Sequence, residues 1–447
     1  MRSESLGGVD SPGGAHLGGR PLSRMDRHML DFQRAYPTRP VSVTCCLLRV
    51  AGVPDLDEVR AAVLERVQAF PALTERLVER RGRAPRWEPG GEIDMARQVR
   101  EHRLPAGATE DDLRAAAARL SGIVTPLDGP AWEVGLLTSP GAGDSHVFFR
   151  ASHVWVDGLS QNRVLTFLFG DETAAGAGPT WTRTGKLTPG ALMSAARLQA
   201  ASWAGPSGGL AALAGPAEDR HSVGWASVGV DRLRAVGRAY GASVNDVYLV
   251  TVGGALAAWS SPVGRSPVRT VLSVSARRAS EHSVLGNAFV ATRVALPLGL
   301  ASPAERFERV CRQTAPYKGG SSVSLGVRFW SDRVPARFGH LTIGGGQELG
   351  KAAVNTSNLG PVSGPLTVAG APVTAVLPVP AAREGRRQVL VTLGGLGRTA
   401  TAGFTVPVPG GAELAELWLA EIEDLERAAG IVPAPDQAVA TLAEDRG

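Results

Sequence analysis

Residues 146–169, HVFFRASHVWVDGLSQNRVLTFLF, decide how this chain is read. The opening run, His146 to Ala151, is a β-branched and aromatic segment of strand type. The closing run, Leu159 to Phe169, places Leu, Val and Phe at helical spacing. Between them stands Ser152-His153-Val154-Trp155-Val156-Asp157-Gly158, which puts His153 on a strand-to-helix turn. A rigid strand aims a side chain at such a turn, and the loop beyond it leaves room for a substrate. Histidine suits a general base there, because its unperturbed pKa of about 6.5 lets it accept a proton near neutral pH. The competing reading of His153 is a polar residue at a loop edge. The remaining histidines, at 16, 28, 102, 146, 221, 282 and 340, have no Asp-Gly partner at this spacing, which favours His153 as the base. Asp157 is expected to pair with an arginine and fix the turn, with Gly158 supplying backbone freedom.

Outward from the motif, the same mixture of patterns continues. Val41 to Val50 and Trp132 to Thr138 read as strands, and Asp111 to Leu120 as a short helix. In Asp55 to Leu77, Leu56, Val59, Val63 and Val67 fall at spacings of three and four, with an Asp start and Pro71 near the stop, the mark of an amphipathic helix. Between about Asp171 and Arg220, Gly, Ala, Pro, Ser and Thr dominate, as in a linker. Its one helical candidate, Ala191 to Trp203, reads as a satellite packing helix or as a contact for a membrane surface. Beyond it come a helix from Asp231 to Tyr240, a buried helix from Val247 to Trp259 capped by Asn245 or Asp246, and strands at Val268 to Ser275 and Ala288 to Leu296. A helix at Pro303 to Tyr317, short strands from Ala352 to Val406 and a helix at Ala412 to Ala428 complete the order. The fold class is therefore α/β, with α and β elements in layers.

A chain of 447 residues, 44% hydrophobic and 20% charged, exceeds one hydrophobic core and divides into two domains. The expected divisions are a disordered lead-in at 1–20, a first domain at 21–172, a linker at 173–218 and a second domain at 219–447. The net charge of +5 is carried by scattered arginines, and aromatics are only 5%, a pattern that argues against nucleic acid. The phosphates of a CoA or of a carrier-protein arm are the better acidic partner. Cys45, Cys46 and Cys311 offer neither a disulfide framework nor zinc-ligand spacing, so a reducing cytoplasm is expected. No HExxH, GxSxG, P-loop or dinucleotide fingerprint occurs, and the glycines of 344–350 and 394–397 read as turns. No run approaches the ~18 to 20 apolar residues that cross a bilayer.

Pro21-Leu22-Ser23-Arg24-Met25-Asp26, Phe70 to Leu77, Gly129-Pro130-Ala131-Trp132-Glu133, His153 to Gly158, Ser243 to Val247, Leu285-Gly286-Asn287 and Ser357 to Pro361 occur in that order. Together they resemble the LSxxD, HPALRxRL, PLWE, HxxxDG, TVND, LGN and SNxxGP signatures of the bacterial wax ester synthase/diacylglycerol acyltransferase family, within the superfamily of CoA-dependent acyltransferases and condensation domains. The resemblance implies two chloramphenicol-acetyltransferase-like domains with a central tunnel, His153 at its centre, and acyl thioester and acceptor entering from opposite mouths. It implies acyl-CoA as co-substrate, no further cofactor, no metal, and a fatty alcohol, diacylglycerol or specialised-metabolite hydroxyl as acceptor. An alternative within the superfamily is a condensation-like enzyme joining carrier-protein-bound acyl groups to an amine or hydroxyl, and a third reading is a catalytically silent scaffold. Peripheral membrane contact is compatible with the lipid-active members. Arg277 is the candidate partner of Asp157, with Arg278 nearly as suitable. Asn245 is a helix cap or an active-site contact, and Asn287 and Asn358 are turn residues or site contacts. Ser152 is a further candidate site contact, because the family has a histidine there. That departure and Ala131 in place of a leucine bear on rate and substrate choice more than on reaction class.

Overall fold

The computed structural model describes residues 19–37, 43–90, 92–171, 187–215, 221–281, 284–318, 321–338, 352–381 and 387–432. Of the lead-in at 1–20, residues 1–18 lie outside the described residues, as do the glycines of 344–350 and much of the linker. Arg20 itself is part of the structure. It pairs with Trp87 in a small antiparallel sheet and donates from Nε to the Glu75 carboxylate at 2.9 Å.

Two six-stranded sheets carry the molecule. One runs, in spatial order, Thr367–Val368, Ala371–Pro378, Val43–Val50, Ser145–Ser152, Trp132–Thr138 and Val99–Arg103. The other runs Phe289–Ala295, Arg269–Ser275, Val354–Asn358, Val389–Leu396, Thr399–Val406 and Ser222–Gly229. Central strands buried on both faces need apolar residues at successive positions. Hence Cys45 to Leu48 and Val147 to Phe149 are all buried, with Val43 opposite Ser152 in antiparallel register.

One strand, Ala371–Pro378, crosses between the halves of the sequence. It belongs to the second half of the sequence yet pairs antiparallel with Val43–Val50, Leu377 opposite Leu47. Nothing in its local alternation specifies a partner more than three hundred residues away.

The helices follow their caps. Asp55 accepts the N–H of Asp57 and Glu58 to start Leu56–Ala69, which buries Val59, Val63 and Val67. The helix stops before Pro71, where a 3-10 turn at Pro71–Thr74 and then a strand at Glu75–Val78 take over. The buried helix of the second half starts at Val244, three residues before the expected Val247. Its cap is Ser243, whose hydroxyl takes the Asp246 N–H while the Asp246 carboxylate takes the Ser243 N–H at 2.8 Å. This reciprocal box satisfies two orphan donors at once, which a cap at Asn245 or Asp246 would not. The linker's helix, Pro189–Trp203, packs on Ser322–Ser331: Ala195 is buried, and a Cβ at Gly326 would lie 2.6 Å from the Ala195 methyl. Among the described residues no helix is long and apolar enough to cross a membrane, and no group of three His, Cys, Asp or Glu is placed to hold a metal ion.

Candidate active site

The strand Ser145–Ser152 ends in a turn that Ser152 itself builds. Its hydroxyl accepts the Val154 N–H at 3.2 Å, and its carbonyl accepts the N–H of Trp155 and Val156. Ser152 is buried and lines neither of the cavities that meet at His153, which corrects its expected place as a site contact. The reason is alternation: adjacent side chains at a strand end leave on opposite sides, so only His153 faces the opening. Val154, Trp155 and Val156 are fully buried and anchor the turn, Trp155 donating from Nε1 to Glu75 at 3.1 Å.

Asp157 closes the turn from below. Its carboxylate caps the helix Gly158–Phe169 through the Ser160 N–H at 3.0 Å and accepts the Ala288 N–H at 3.0 Å. Arg277 binds it through two nitrogens, at 2.6 and 2.9 Å. Burial opposes the charge, but the Arg277 guanidinium and these hydrogen bonds outweigh it and hold the Asp157 carboxyl below the usual carboxylate range. The guanidinium also donates to Ser160 Oγ and to the Gly286 carbonyl at 2.8 Å. Gly286 has φ +130°, a region that favours glycine, and its carbonyl further receives the Asp157 N–H and the Ser160 hydroxyl. Arg278 takes a different route: its backbone N–H meets Glu281, which pairs with Arg328.

The loop pinned by this pair delivers Asn287 to His153. His153 Nδ1 lies 2.9 Å from Asn287 Oδ1. The amide of Asn287 is oriented by its other end, whose Nδ2 donates to Asp26 Oδ1 at 2.8 Å and to the His153 carbonyl at 2.8 Å. Carboxylate and carbonyl oxygens only accept, so Nδ2 must face them and Oδ1 must face the ring. Nδ1 therefore carries the proton, and the Nε2 lone pair is the ring's basic site. Asp26 is fully buried and accepts the N–H of Ser23 and of Asn287 as well. Burial pushes its carboxyl up, and Arg20 together with the donors at Asn287 and Ser23 opposes that only in part. The Phe289 ring stands 5.6 Å from the imidazole, centroid to centroid.

Two cavities meet here. One, of about 1060 Å³ including the space that opens to solvent, is lined by apolar groups such as Met29, Cys45, Val271 and Leu390 and by polar Thr44, Asn355 and Thr392. The other, of about 450 Å³, is lined by Arg277, Asn358 and Val274 among others. Both are lined by His153, Gly158, Ser273, Phe289, Ser357 and Leu359. His153 thus lines both cavities, and residues of both sheets line the larger of the two.

Gly158 earns its place by contact rather than by an unusual backbone angle, since it is absent from the positive-φ glycines. A Cβ there would lie 2.1 Å from Leu359 Cδ2, so glycine lets the Ser357 to Pro361 loop approach the histidine turn. Asn245 lines neither cavity. Its Oδ1 accepts from Asn358 Nδ2 at 3.3 Å, so it reaches the site only through Asn358, whose own Oδ1 holds the Gly360 N–H. The residue that sequence reasoning left without a role is Asp26. Its only signal was the Pro21 to Asp26 segment among the family signatures. Nothing local ties it to Asn287, 261 positions away.

Residues 22–214 match the model of a catalytic domain described as wax ester synthase/diacylglycerol acyltransferase. The chain is 28% identical over 379 residues to a candidate diacylglycerol O-acyltransferase of Mycobacterium tuberculosis, covering 75% of this chain and 83% of that protein. A wax ester synthase/diacylglycerol acyltransferase of Marinobacter aquaeolei shares the fold with a TM-score of 0.63 at 20% identity, over 92% of this chain and 100% of its own. The starter condensation domain of rhizomide synthetase, solved with C8-CoA and Leu-SNAC, does so with a TM-score of 0.61 at 13% identity, over 94% and 96%. These solved structures share the layered α/β fold expected from the sequence.

Proposed function

From the match of residues 22–214 to the wax ester synthase/diacylglycerol acyltransferase catalytic domain and the likeness to the mycobacterial relative, we propose that this chain is an acyltransferase of that family and that it moves an acyl group from a CoA thioester to a hydroxyl acceptor with His153 as general base. The observation that carries the reading is the bond from His153 Nδ1 to Asn287 Oδ1, made where two cavities meet. It leaves Nε2 as the proton acceptor, the tautomer the chemistry requires.

The acceptor's O–H gives its proton to Nε2 as the oxygen attacks the thioester carbonyl. The tetrahedral intermediate collapses, the C–S bond breaks, and the imidazolium returns the proton to the departing thiolate. Ser273 and Ser357 line both cavities and supply hydroxyls that donate to the developing oxyanion in this reading. Base, oxyanion donor and aligned reactants are the demands of this reaction, and acyl-CoA enters it as co-substrate. The largely apolar wall of the larger cavity suits a fatty alcohol, a diacylglycerol or a specialised metabolite with a hydrocarbon body.

The test measures thiol release from a panel of acyl-CoAs with alcohol and amine acceptors, for the parent protein and His153→Ala. A fall of about 10²- to 10⁴-fold is expected for loss of a general base. Undiminished turnover in the variant overturns the mechanism. Transfer from carrier-bound thioesters alone, never from CoA thioesters, replaces the reading with a condensation-like one.

A further inference from the structure

A further concavity lies beyond the two cavities at His153, at the end of the antiparallel pair Arg269–Ser275 and Phe289–Ala295, a hairpin that lines them. It is lined by Arg265, Arg269, Arg309 and Arg312, and by no carboxylate. Arg312 has a loose, exposed partner in Glu308 at 3.4 Å. Among the described residues, Arg265, Arg269 and Arg309 form no ion pair, and the Arg269 Nε is buried without a hydrogen-bond partner. Four like charges gathered in one hollow repel one another, and an anionic ligand relieves that repulsion.

The hollow is in register with the catalytic base. On the hairpin, Arg269 faces Ala295, Val271 faces Arg293, Ser273 faces Ala291 and Ser275 faces Phe289. Alternate residues of a strand share a face. Val271, Ser273, Phe289 and Ala291 line the roughly 1060 Å³ cavity at His153, and Arg269 and Ala295, farther along the same face, line the hollow. Trp203 lies over the Arg293 guanidinium, 5.3 Å away, and marks the transition. From Ser273 to Arg269 is four residues, or about 13 Å of strand. A pantetheine arm is a chain of amide-linked units, comparable to roughly four to five extended residues, or about 15 Å.

We propose that this arginine-lined hollow binds the phosphate groups of the CoA portion of the donor, while the pantetheine arm runs along the hairpin face and brings the thioester to His153. The proposal rests on the CoA-thioester reading above. A concavity carrying four arginines fits the clustered phosphates of a nucleotide. A carrier protein, with its single phosphodiester and its charge spread over a convex helix, uses such a hollow less fully.

The test uses Arg265→Ser/Arg309→Ser in the full chain, because both side chains are exposed and the fold does not depend on them. CoA is titrated calorimetrically into both proteins, and KM is compared for an acyl-CoA and for the matching acyl-N-acetylcysteamine, which lacks every phosphate. Weakening of CoA binding by about tenfold is expected, as for the loss of two exposed charge contacts. The KM ratio of acyl-CoA to acyl-N-acetylcysteamine should rise by a similar factor. Equal CoA affinity in the two proteins, or an unchanged KM ratio, overturns the hollow as the phosphate site while leaving His153 chemistry standing. If CoA binds the parent protein and binds the variant more weakly, yet no thioester is turned over, the acyl-transfer reading falls and the site stands. A parent protein that binds no CoA and accepts only carrier-bound donors overturns the hollow as well.

Discussion

Replacing Arg277 with Met keeps most of the side-chain volume and removes the charge that faces Asp157. The side chains of the pair are only 2% and 6% exposed, so water cannot stand in for the guanidinium. At least four hydrogen bonds go with it: two to Asp157, one to Ser160 Oγ and one to the Gly286 carbonyl. Breaking one side of a buried pair costs about 3–5 kcal/mol. Asp157 keeps the N–H donors of Ser160 and Ala288, which places the expected loss near the lower end, about 3 kcal/mol. The same guanidinium holds the loop that carries Asn287, so the geometry at His153 should suffer too, with kcat lower by roughly 10²-fold. Urea unfolding of the parent protein, Arg277→Met and Arg277→Met/Asp157→Asn measures the first effect. The double variant removes both charges, and asparagine caps a helix as well as aspartate does, so it should recover a large part of the loss. A loss below about 1 kcal/mol in the single variant, or a double variant no more stable than the single, would refute the view that this pair clamps the two loops.

Asn287→Ala should lower kcat by about 10- to 100-fold with little change in KM, because it removes the acceptor that fixes the His153 tautomer; steady-state kinetics and the ring-nitrogen NMR signature of His153 check this, and an unchanged kcat would sink the tautomer argument. Gly158→Ala should destabilise by about 1–3 kcal/mol through overpacking against Leu359, and pairing it with Leu359→Ala should restore much of that on thermal melting. The Asp157 carboxyl is held below its unfolded pKa of about 3.9, so its contribution to stability is complete above that value and is lost as pH falls through the lower folded pKa. The difference in unfolding free energy between the parent protein and Asp157→Asn should accordingly be flat from neutral pH down to about 4 and shrink below it. Burial pushes the Cys45 thiol up to about 12 and Cys46 well above its ordinary value, so iodoacetamide at pH 8 should leave both unmodified until the protein is unfolded, as peptide mass mapping would show.

Short-range physics made much of this molecule legible from its residues. The strand, turn and helix around His153 followed from period-two and period-3.6 patterns, and Asp55 marked its helix start as a cap should. The pairing of Asp157 with an arginine could be anticipated because a carboxylate at a buried turn needs a cation, although only the folded chain chose Arg277 over Arg278. Where local chemistry offered near-equal choices, the sequence reading slipped: the helix of the second half is capped by Ser243 and not by Asn245 or Asp246, and Ser152 turns inward to build the bend beside the histidine. Tertiary structure alone decided what depends on residues far apart in the chain. It carried Ala371–Pro378 across to pair with Val43–Val50, brought Asp26 to Asn287 and Asn287 to His153, and opened two cavities onto one imidazole. Such contacts leave no periodic trace, because the side chains that meet are fixed by sheet register and loop closure rather than by neighbours in sequence. The residues by themselves thus determined that a histidine would stand on a strand-to-helix turn in a layered α/β protein; which ring nitrogen is basic was set by an amide held in place by a carboxylate from the other end of the chain.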